Sequence, residues 1–249
     1  MAGLITWQTG DARPVSVASA WMGRMTVYDV AEALPDIRSL RDLCRAMAMA
    51  EAVLDPARER YYSFNSRWSE TEALASMRNG SGDEFDIVFS SAGAFIRGFD
   101  HESPLSPYQH DAAPAPWPGV VDSVPDVFRK YVREPAFTDE DGTPVVTVCV
   151  WRQPADERWR AGRIDFPGGH PDPDGSEWLF GLLVDPTPEA FQSFAKDYYE
   201  TPVDLEAVRH LYDLRPLTRS VIADLNPAVS LHDVTGAAET IGYPVSPSA

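Results

Sequence analysis

The chain has 249 residues, of which 44% are hydrophobic and 11% aromatic, so it can bury a sizeable core. Its 38 acidic residues outnumber the 21 basic ones, which gives a formal net charge of -17. Nucleic-acid backbones and anionic membrane surfaces attract basic proteins, so this balance argues against both as partners. A basic protein partner is compatible with it, although acidity alone also keeps a protein soluble.

The two cysteines indicate a protein of a reducing compartment. Cys44 lies in a helical pattern and Cys149 in the valine-rich run "VVTVCVW", and both positions are typical of small core hydrophobes. Two thiols without a CxxC motif form no disulfide framework, so we expect a cytoplasmic protein. Residues 1–24 contain an "ASA" similar to a signal cleavage site but lack a basic start and a long apolar stretch. We predict a loose extension over 1–24 and a single domain over 25–249.

The first half of that domain predicts one helix and an antiparallel meander. Asp36 can cap a helix over residues 36–54, which the Asp55-Pro56 pair ends. Apolar residues then alternate with polar ones in "YYSFNSRW" and "DEFDIVF", with "EALASMR" between them and "AFIRGF" after them. The turn signals "NGSG" and "SSAG" separate these segments, so we expect four short strands.

The second half predicts a long loop, two more strands and a helical end. Proline dominates residues 104–118, and loops of that length in compact domains are usually functional or disordered. A short helix is expected over 123–133, with Val124, Val127, Phe128, Tyr131 and Val132 facing inward. The apolar run "TPVVTVCVWR" predicts a central strand with "RWRAGRIDF" beside it, and helical patterns follow from Ser176 to Gly242.

Strands that come before helices are typical of an α+β fold. We predict an antiparallel sheet of about five to six strands, with an N-terminal helix and a C-terminal group of helices packed on one face. The sheet-rich part covers residues 60–168 and the helical part covers residues 174–243.

Sequence motifs for cofactors and metals are missing. The chain has no GxGxxG, GxxxxGK[ST], GxSxG or HExxH. The loops "FTDEDG" and "HPDPDG" are similar to calcium loops, but Val148 and Gly181 stand where the closing carboxylate is needed. The five histidines are scattered: His101, His110, His170, His210 and His232. We therefore predict no metal site and no cofactor.

The triplet Asp100, His101 and Glu102 follows the strand-like "AFIRGF" and suggests acid–base chemistry. A histidine that a carboxylate orients can act as a general base. If the strand continues, Asp100 and Glu102 share one side, while His101 lies beside Arg97 on the other. The alternative, which we favour, is a polar strand end whose side chains bond the neighbouring loop backbone.

Several short segments of the sequence together carry a resemblance to one group of proteins. "SFNSRWSE", "MRNGSGDEF", "IRGFDHES" and "LRPLTRSVIADLNP" together resemble a group of actinobacterial proteins without a known activity. The resemblance covers roughly residues 60–244 and includes no catalytic signature, so it implies a cytoplasmic bacterial protein and no site residues. Acidity and α+β content are also similar to the immunity proteins of bacterial toxin systems.

These observations favour a cytoplasmic, non-enzymatic protein-binding module, immunity- or antitoxin-like, that binds a basic partner. Arg97, His110 and Trp117 are the predicted binding residues, and Trp117 either anchors the proline-rich loop or contacts the partner. The alternative is a hydrolase-like enzyme for small molecules that uses the triplet at 100–102, with Arg97 as an anion clamp. An enzyme should show His101 in a concave pocket with a carboxylate in reach, and a binding module should show an acidic patch.

Overall fold

A computed structural model describes residues 25–56, 60–109 and 113–246. The predicted extension over 1–24 and the predicted binding residue His110 lie outside the described residues. Two N-terminal helices, α1 (Val27–Ala33) and α2 (Ile37–Leu54), precede the sheet. The side chain of Asp36 accepts hydrogen bonds from the first turn of α2, so the predicted cap is confirmed.

Six strands form one antiparallel sheet in which the spatial order equals the chain order. They are β1 (Tyr62–Asn65), β2 (Ala73–Arg78), β3 (Glu84–Ser90), β4 (Gly93–Phe99), β5 (Val148–Arg152) and β6 (Arg160–Ala161). Gly93, at a φ of +122°, shows why a glycine stands after the β3–β4 turn, since an added Cβ would lie 2.1 Å from the carbonyl oxygen of Arg152. The molecule is an α+β protein, as predicted.

The helical end follows the sheet in sequence. Its helices are α4 (Ser176–Val184), α5 (Pro188–Tyr199), α6 (Leu205–Tyr212), α7 (Arg219–Leu225) and α8 (Leu231–Ile241). The short helix α3 (Arg129–Val132) lies earlier, between β4 and β5. Among the described residues, no helix combines the length and the apolar character that a membrane crossing requires.

Different parts of the chain cover the two faces of the sheet. On one face, Phe85 of β3 packs on Phe180 of α4, and Tyr62 of β1 packs on Phe194 of α5. On the opposite face, Phe95 of β4 contacts Phe128 and Tyr131, which belong to the β4–β5 connection. Both faces of the central strands are therefore buried, and all seven residues of β4 are buried.

Two local expectations were wrong. The segment predicted as one short helix is a 3₁₀ turn (Asp126–Phe128) followed by α3, and this change of period leaves the side chain of Val127 45% exposed. The valine-rich strand β5 is not central. It lies next to the edge strand β6, which pairs with it through two residues. Val146, Val148 and Val150 are nevertheless buried, since the connection and the helices cover both faces of β5.

The two cysteines lie in the core, as their sequence context predicts. Cys44 of α2 and Cys149 of β5 are buried free thiols. Burial raises the pKa of both thiols far above the usual value, because a thiolate is poorly solvated in an apolar interior. Neither thiol is therefore a candidate nucleophile.

Candidate functional site

The loop that follows β4, residues 100–109, is a chain of tight turns. The backbone N–H groups of Ser103, Ser106 and Gln109 donate to the carbonyl oxygens three residues earlier, at 3.2, 2.9 and 3.1 Å. Because β4 ends at Phe99, the strand alternation considered for residues 100–102 does not extend to them. We call this segment the β4 loop.

The three residues of the triplet have different environments in the β4 loop. Asp100 is buried, and its Oδ1 accepts the backbone N–H of Glu102 at 2.9 Å. His101 and Glu102 are exposed. Asp100 therefore makes the local bond to loop backbone that a polar strand end predicts.

His101 has a different carboxylate partner, Asp83, which lies at the end of the "NGSGD" turn before β3. The Nδ1 of His101 is 2.6 Å from Oδ1 of Asp83, and the same oxygen accepts the backbone N–H of His101 at 3.0 Å. The other oxygen, Oδ2, accepts from Nε1 of Trp178 at 3.0 Å and from Nδ2 of Asn79 at 2.7 Å. Asp83 is thus a buried carboxylate with four donors around it.

The ionisation of Asp83 decides the orientation of the imidazole. Burial alone would raise the pKa of Asp83, but the hydrogen bonds from His101 and its positive charge hold that pKa below its usual value. An ionised Asp83 accepts the Nδ1–H of His101, which leaves Nε2 as the ring nitrogen for other contacts. The side chain of His101 is 42% exposed, so that contact can come from outside the protein.

The "HPDPDG" loop supplies two further carboxylates at the start of α4. Oδ1 of Asp174 accepts the N–H of Ser176 at 3.1 Å, and its Oδ2 accepts the N–H of Val27 at 2.9 Å. Oδ2 of Asp172 accepts the N–H of Trp178 at 3.1 Å. Carboxylates are favoured here because the N-terminus of a helix offers unpaired N–H groups and a positive dipole end.

Asp100 packs against this turn. Gly175 has a φ of +78°, and an added Cβ at that position would lie 2.4 Å from Cβ of Asp100, so only a glycine fits there. Asp83, Asp100, Asp172 and Asp174 therefore gather around one helix end, and we call them the carboxylate cluster. Two of its members come from the loop that resembles a calcium loop, although both point to the protein's own backbone donors.

Two members of the carboxylate cluster, Asp172 and Asp174, have raised pKa values. Burial raises the pKa of Asp172 to about 7, and the charges of Asp174 and Asp100 add to the effect. Burial also raises the pKa of Asp174. Within the described part of the chain, Oδ1 of Asp172 is buried without a hydrogen-bond partner, and neither Asp172 nor Asp174 forms an ion pair.

The structure also brings together a set of metal-ligating side chains that the sequence did not reveal. Asp83, Asp100 and His101 each offer one ligand atom, and these atoms lie within 4.8 Å of one another. The spacing of the histidines along the chain gives no sign of Asp83, because this carboxylate comes from the turn of the preceding hairpin. The sequence signal for this carboxylate was the aspartate that ends "NGSGD", because it directly precedes β3, which pairs with β4.

Arg97 does not take the position of an anion clamp. It is buried, and its guanidinium contacts Asp86, donates to Glu84 Oε1 at 2.6 Å and lies 4.6 Å from the ring centroid of Phe137. Arg78 binds both carboxylate oxygens of Asp86 at 2.9 Å. We call Arg78, Glu84, Asp86 and Arg97 the Arg97 network. The positive charge of Arg97 is already paired inside the protein. Arg97 therefore does not meet the expectation for a residue that binds a partner.

Trp117 anchors the proline-rich segment. Its indole is half-buried against the core, and Nε1 donates to the carbonyl oxygen of Asp165 at 3.2 Å. Of the two roles considered for Trp117, this geometry is that of an anchor.

A different aromatic residue of the segment, Tyr108, is 46% exposed. Its ring packs edge-on against Phe99, and its hydroxyl donates to Oδ2 of Asp139 at 3.1 Å. Asp139 begins the "DEDG" turn, in which its Oδ1 accepts the N–H groups of Asp141 and Thr143. This bonding confirms an Asp-Gly turn, with Gly142 at a φ of +81°.

Tyr108 therefore joins the β4 loop to the acidic turn. Glu102 and Gln109 on the loop and Glu140 and Asp141 on the turn are exposed. We call these four residues, together with Tyr108, the acidic face. No family model, curated protein or solved structure matches the chain. Its function is therefore argued from these sites.

Proposed function

We propose that the protein is a non-enzymatic, cytoplasmic binding module that holds a basic protein partner against the acidic face. The observation that supports this most directly is Tyr108, an exposed aromatic ring fixed between Phe99 and Asp139. Tyrosines are frequent anchors of protein interfaces, because they bury a large area and lose little conformational freedom when already held in place.

Charge supports the same proposal. The exposed Glu140 and Asp141 follow Asp139 in the turn that Tyr108 contacts, Glu102 lies on the same loop as Tyr108, and the chain as a whole has a net charge of -17. Such a field accelerates encounter with a basic partner and disfavours acidic ones. Acidity and α+β content favour an immunity- or antitoxin-like role, in which the partner is a basic toxin.

Two variants of the acidic face and one control test the proposal by affinity capture with quantitative mass spectrometry. Tyr108→Ala removes the anchor, and Glu140→Gln with Asp141→Asn removes two charges. The control, Asp224→Asn with Glu239→Gln, removes two exposed charges on α7 and α8. We expect a basic protein that wild type and control retain and that both face variants lose by about tenfold or more.

The salt dependence of the captured complex sharpens the result. A basic partner bound through the acidic face should dissociate as the ionic strength rises, because salt screens exposed charges beyond about 10 Å at 0.1 M. The proposal fails if every captured protein is lost equally from the control and the face variants, or if retention does not respond to salt.

A second candidate function is a hydrolase-like enzyme in which His101 is the general base. The 2.6 Å contact between Nδ1 and Asp83 favours it, because a buried carboxylate behind an exposed imidazole orients the ring and stabilises its protonated form. In this version Asp83 takes the orienting role that the sequence assigned to Asp100 and Glu102. Nε2 of His101 would accept the proton of an attacking water.

Model esters and phosphate esters test this candidate. If it is correct, His101→Ala lowers a measurable hydrolysis rate by about 10²–10⁴-fold and the variant still melts like wild type. His232→Ala, which changes an exposed histidine of α8, is the matched control and should leave the rate unchanged. A rate that His101→Ala does not alter removes the candidate.

A further inference from the structure

Glu51 carries a carboxyl group in the core, in the last turns of α2, and its exposed fraction is 0%. Its Oε2 accepts the backbone N–H of Tyr61 at 3.1 Å and the hydroxyl group of Tyr199. Tyr61 directly precedes β1, and Tyr199 is the last residue of α5, 148 residues from Glu51 along the chain. One carboxyl oxygen therefore joins the ends of α2 and α5 to the start of β1.

The second oxygen of Glu51, Oε1, is buried and has no hydrogen-bond partner among the described residues. Apolar surroundings solvate an ion poorly, so a buried carboxylate is ordinarily paired with a cation or hydrogen-bonded. Burial raises the pKa of Glu51 from 4.5 to about 7, although the hydrogen bonds from Tyr199 and Tyr61 act in the opposite direction. The closed structure therefore favours the neutral acid.

The titratable groups that face Glu51 come from α5 and from the start of β1. They are Tyr199, Tyr61 and Tyr62, and the positive charge that acts on Glu51 belongs to Arg60, which is partly exposed to water. The groups that act on these tyrosines in turn are Cys44, Asp55, Asp83, Tyr198 and Tyr212. The other elements that contact α2, which are β2, α6, α7 and α8, bury apolar residues.

We propose that Glu51, Tyr61 and Tyr199 form a proton-controlled latch that holds the end of α5 and the start of β1 on α2 while Glu51 is protonated. We call these three residues the Glu51 latch. When it opens, water reaches Glu51, and the carboxyl group ionises at its ordinary pKa. The stability of the closed latch is therefore complete below about pH 4.5 and is lost as the pH rises through 7. The latch contains no residue of the acidic face, so its test is separate from that of the proposed function.

Amide hydrogen exchange of the full chain at pH 5, 6, 7 and 8 measures the opening. The reporters are the N–H of Tyr61, whose acceptor is Glu51, and the amides of residues 196–199 in the last turn of α5. After correction for intrinsic exchange, the opening constant should rise roughly 50-fold from pH 5 to pH 8, with most of the rise below pH 7. The release of one proton on opening changes this constant by about tenfold per pH unit between the two pKa values.

One variant and two controls assign the pH dependence to Glu51. Glu51→Gln removes the titrating group and keeps an oxygen for both donors, so its opening constant should change by less than about threefold over the same pH range. Glu239→Gln, which changes an exposed glutamate of α8, should keep the full rise. Asp172→Asn, which removes a different carboxyl group with a raised pKa, should keep it at these reporters as well.

Carbon-13 titration of the glutamate Cδ signals measures the protonation of Glu51 directly. One signal, absent from Glu51→Gln, should titrate near pH 7. Tyr199→Phe removes a hydrogen bond that lowers the pKa of Glu51, so it should move this midpoint to higher pH, which a purely structural role of Tyr199 would not do.

Three results would each overturn the proposal. They are a midpoint of Glu51 below about pH 5.5, a pH-dependent opening that survives in Glu51→Gln, and a midpoint that Tyr199→Phe leaves unchanged. If Glu51→Gln does not fold, the carbon-13 titrations of wild type and Tyr199→Phe still decide, because the signal of Glu51 is then the one that Tyr199→Phe moves.

Discussion

Charged side chains occur in two groups at the same end of the β3–β4 hairpin, and the groups differ in the partners of their carboxylates. The Arg97 network sets two arginines against Glu84 and Asp86, with Arg97 contacting both carboxylates. In the carboxylate cluster, Asp83 contacts the imidazole of His101, whereas Asp172 and Asp174 accept hydrogen bonds from backbone N–H groups. Asp83 precedes Glu84 directly, so the two groups meet at adjacent residues.

This difference separates buried charges that stabilise the fold from those that are candidates for function. In the Arg97 network each charged group has a partner of opposite charge. Nε of Arg97 has no hydrogen-bond partner among the described residues. Such networks favour one arrangement of the strands over others. In the cluster, burial raises the pKa of Asp172, the neighbouring Asp174 adds to the effect, and Oδ1 of Asp172 has no hydrogen-bond partner among the described residues. Groups with perturbed pKa values beside an exposed histidine are candidates for function.

The largest expected effect concerns Asp86, at the centre of the balanced group. Asp86→Ala leaves Arg78 and Arg97 with Glu84 as the remaining carboxylate, so the free energy of unfolding should fall by about 3–5 kcal/mol. Urea unfolding measures it. The control is Asp126→Ala, which removes an exposed ion pair with Arg129 and should cost less than about 1 kcal/mol. Similar losses in both variants would contradict our description of the network.

The next effect concerns Asp172 and has the opposite sign. The pKa of Asp172 is raised from 3.8 to about 7 in the folded protein. The stability that the protonated group contributes is therefore complete below about pH 4 and is lost as the pH rises through 7. Asp172→Asn should stabilise the protein by about 1–2 kcal/mol at pH 8 and change it little at pH 4. Unfolding curves at pH 4, 6 and 8 test this, and a variant that is less stable than wild type at pH 8 would contradict it.

A smaller effect is expected for His101. His101→Ala removes one hydrogen bond to Asp83, but Asp83 keeps the donors from Trp178, Asn79 and the backbone. The loss should be on the order of 1 kcal/mol by urea unfolding. A loss of 3 kcal/mol or more, which is typical of a broken buried ion pair, would contradict our description of the contact as one hydrogen bond among several.

The smallest effect is expected for Tyr108, which lies outside both charged groups. Tyr108→Ala removes a ring that is 46% exposed and a hydrogen bond to Asp139, so the unfolding free energy should change by about 1 kcal/mol at most. Loss of partner capture in this variant then reports on binding and not on folding. A Tm that falls by 10 °C would instead make Tyr108 part of the core.

The elements of this fold follow from local sequence patterns. The cap at Asp36 and the stop at Asp55-Pro56 predict α2, because both act on the backbone within a few residues. Period-two alternation and turn residues predict β1 to β4 for the same reason. The α+β class was therefore predictable. The position of β5 in the sheet was not predictable. A strand that is buried on both faces has the same apolar run whether it lies at the centre of the sheet or next to its edge.

The candidate site was predictable only in part. The sequence alone singled out His101 as a chemically notable residue at a strand end, but it offered Asp100 and Glu102 as partners because they are neighbours in the chain. The tertiary structure gives His101 to Asp83, 18 residues away, and joins Asp174 to Val27 across 147 residues. Hydrogen-bond partners and the balance of buried charge depend on how the turns and helix ends meet in space, and no local pattern encodes that meeting.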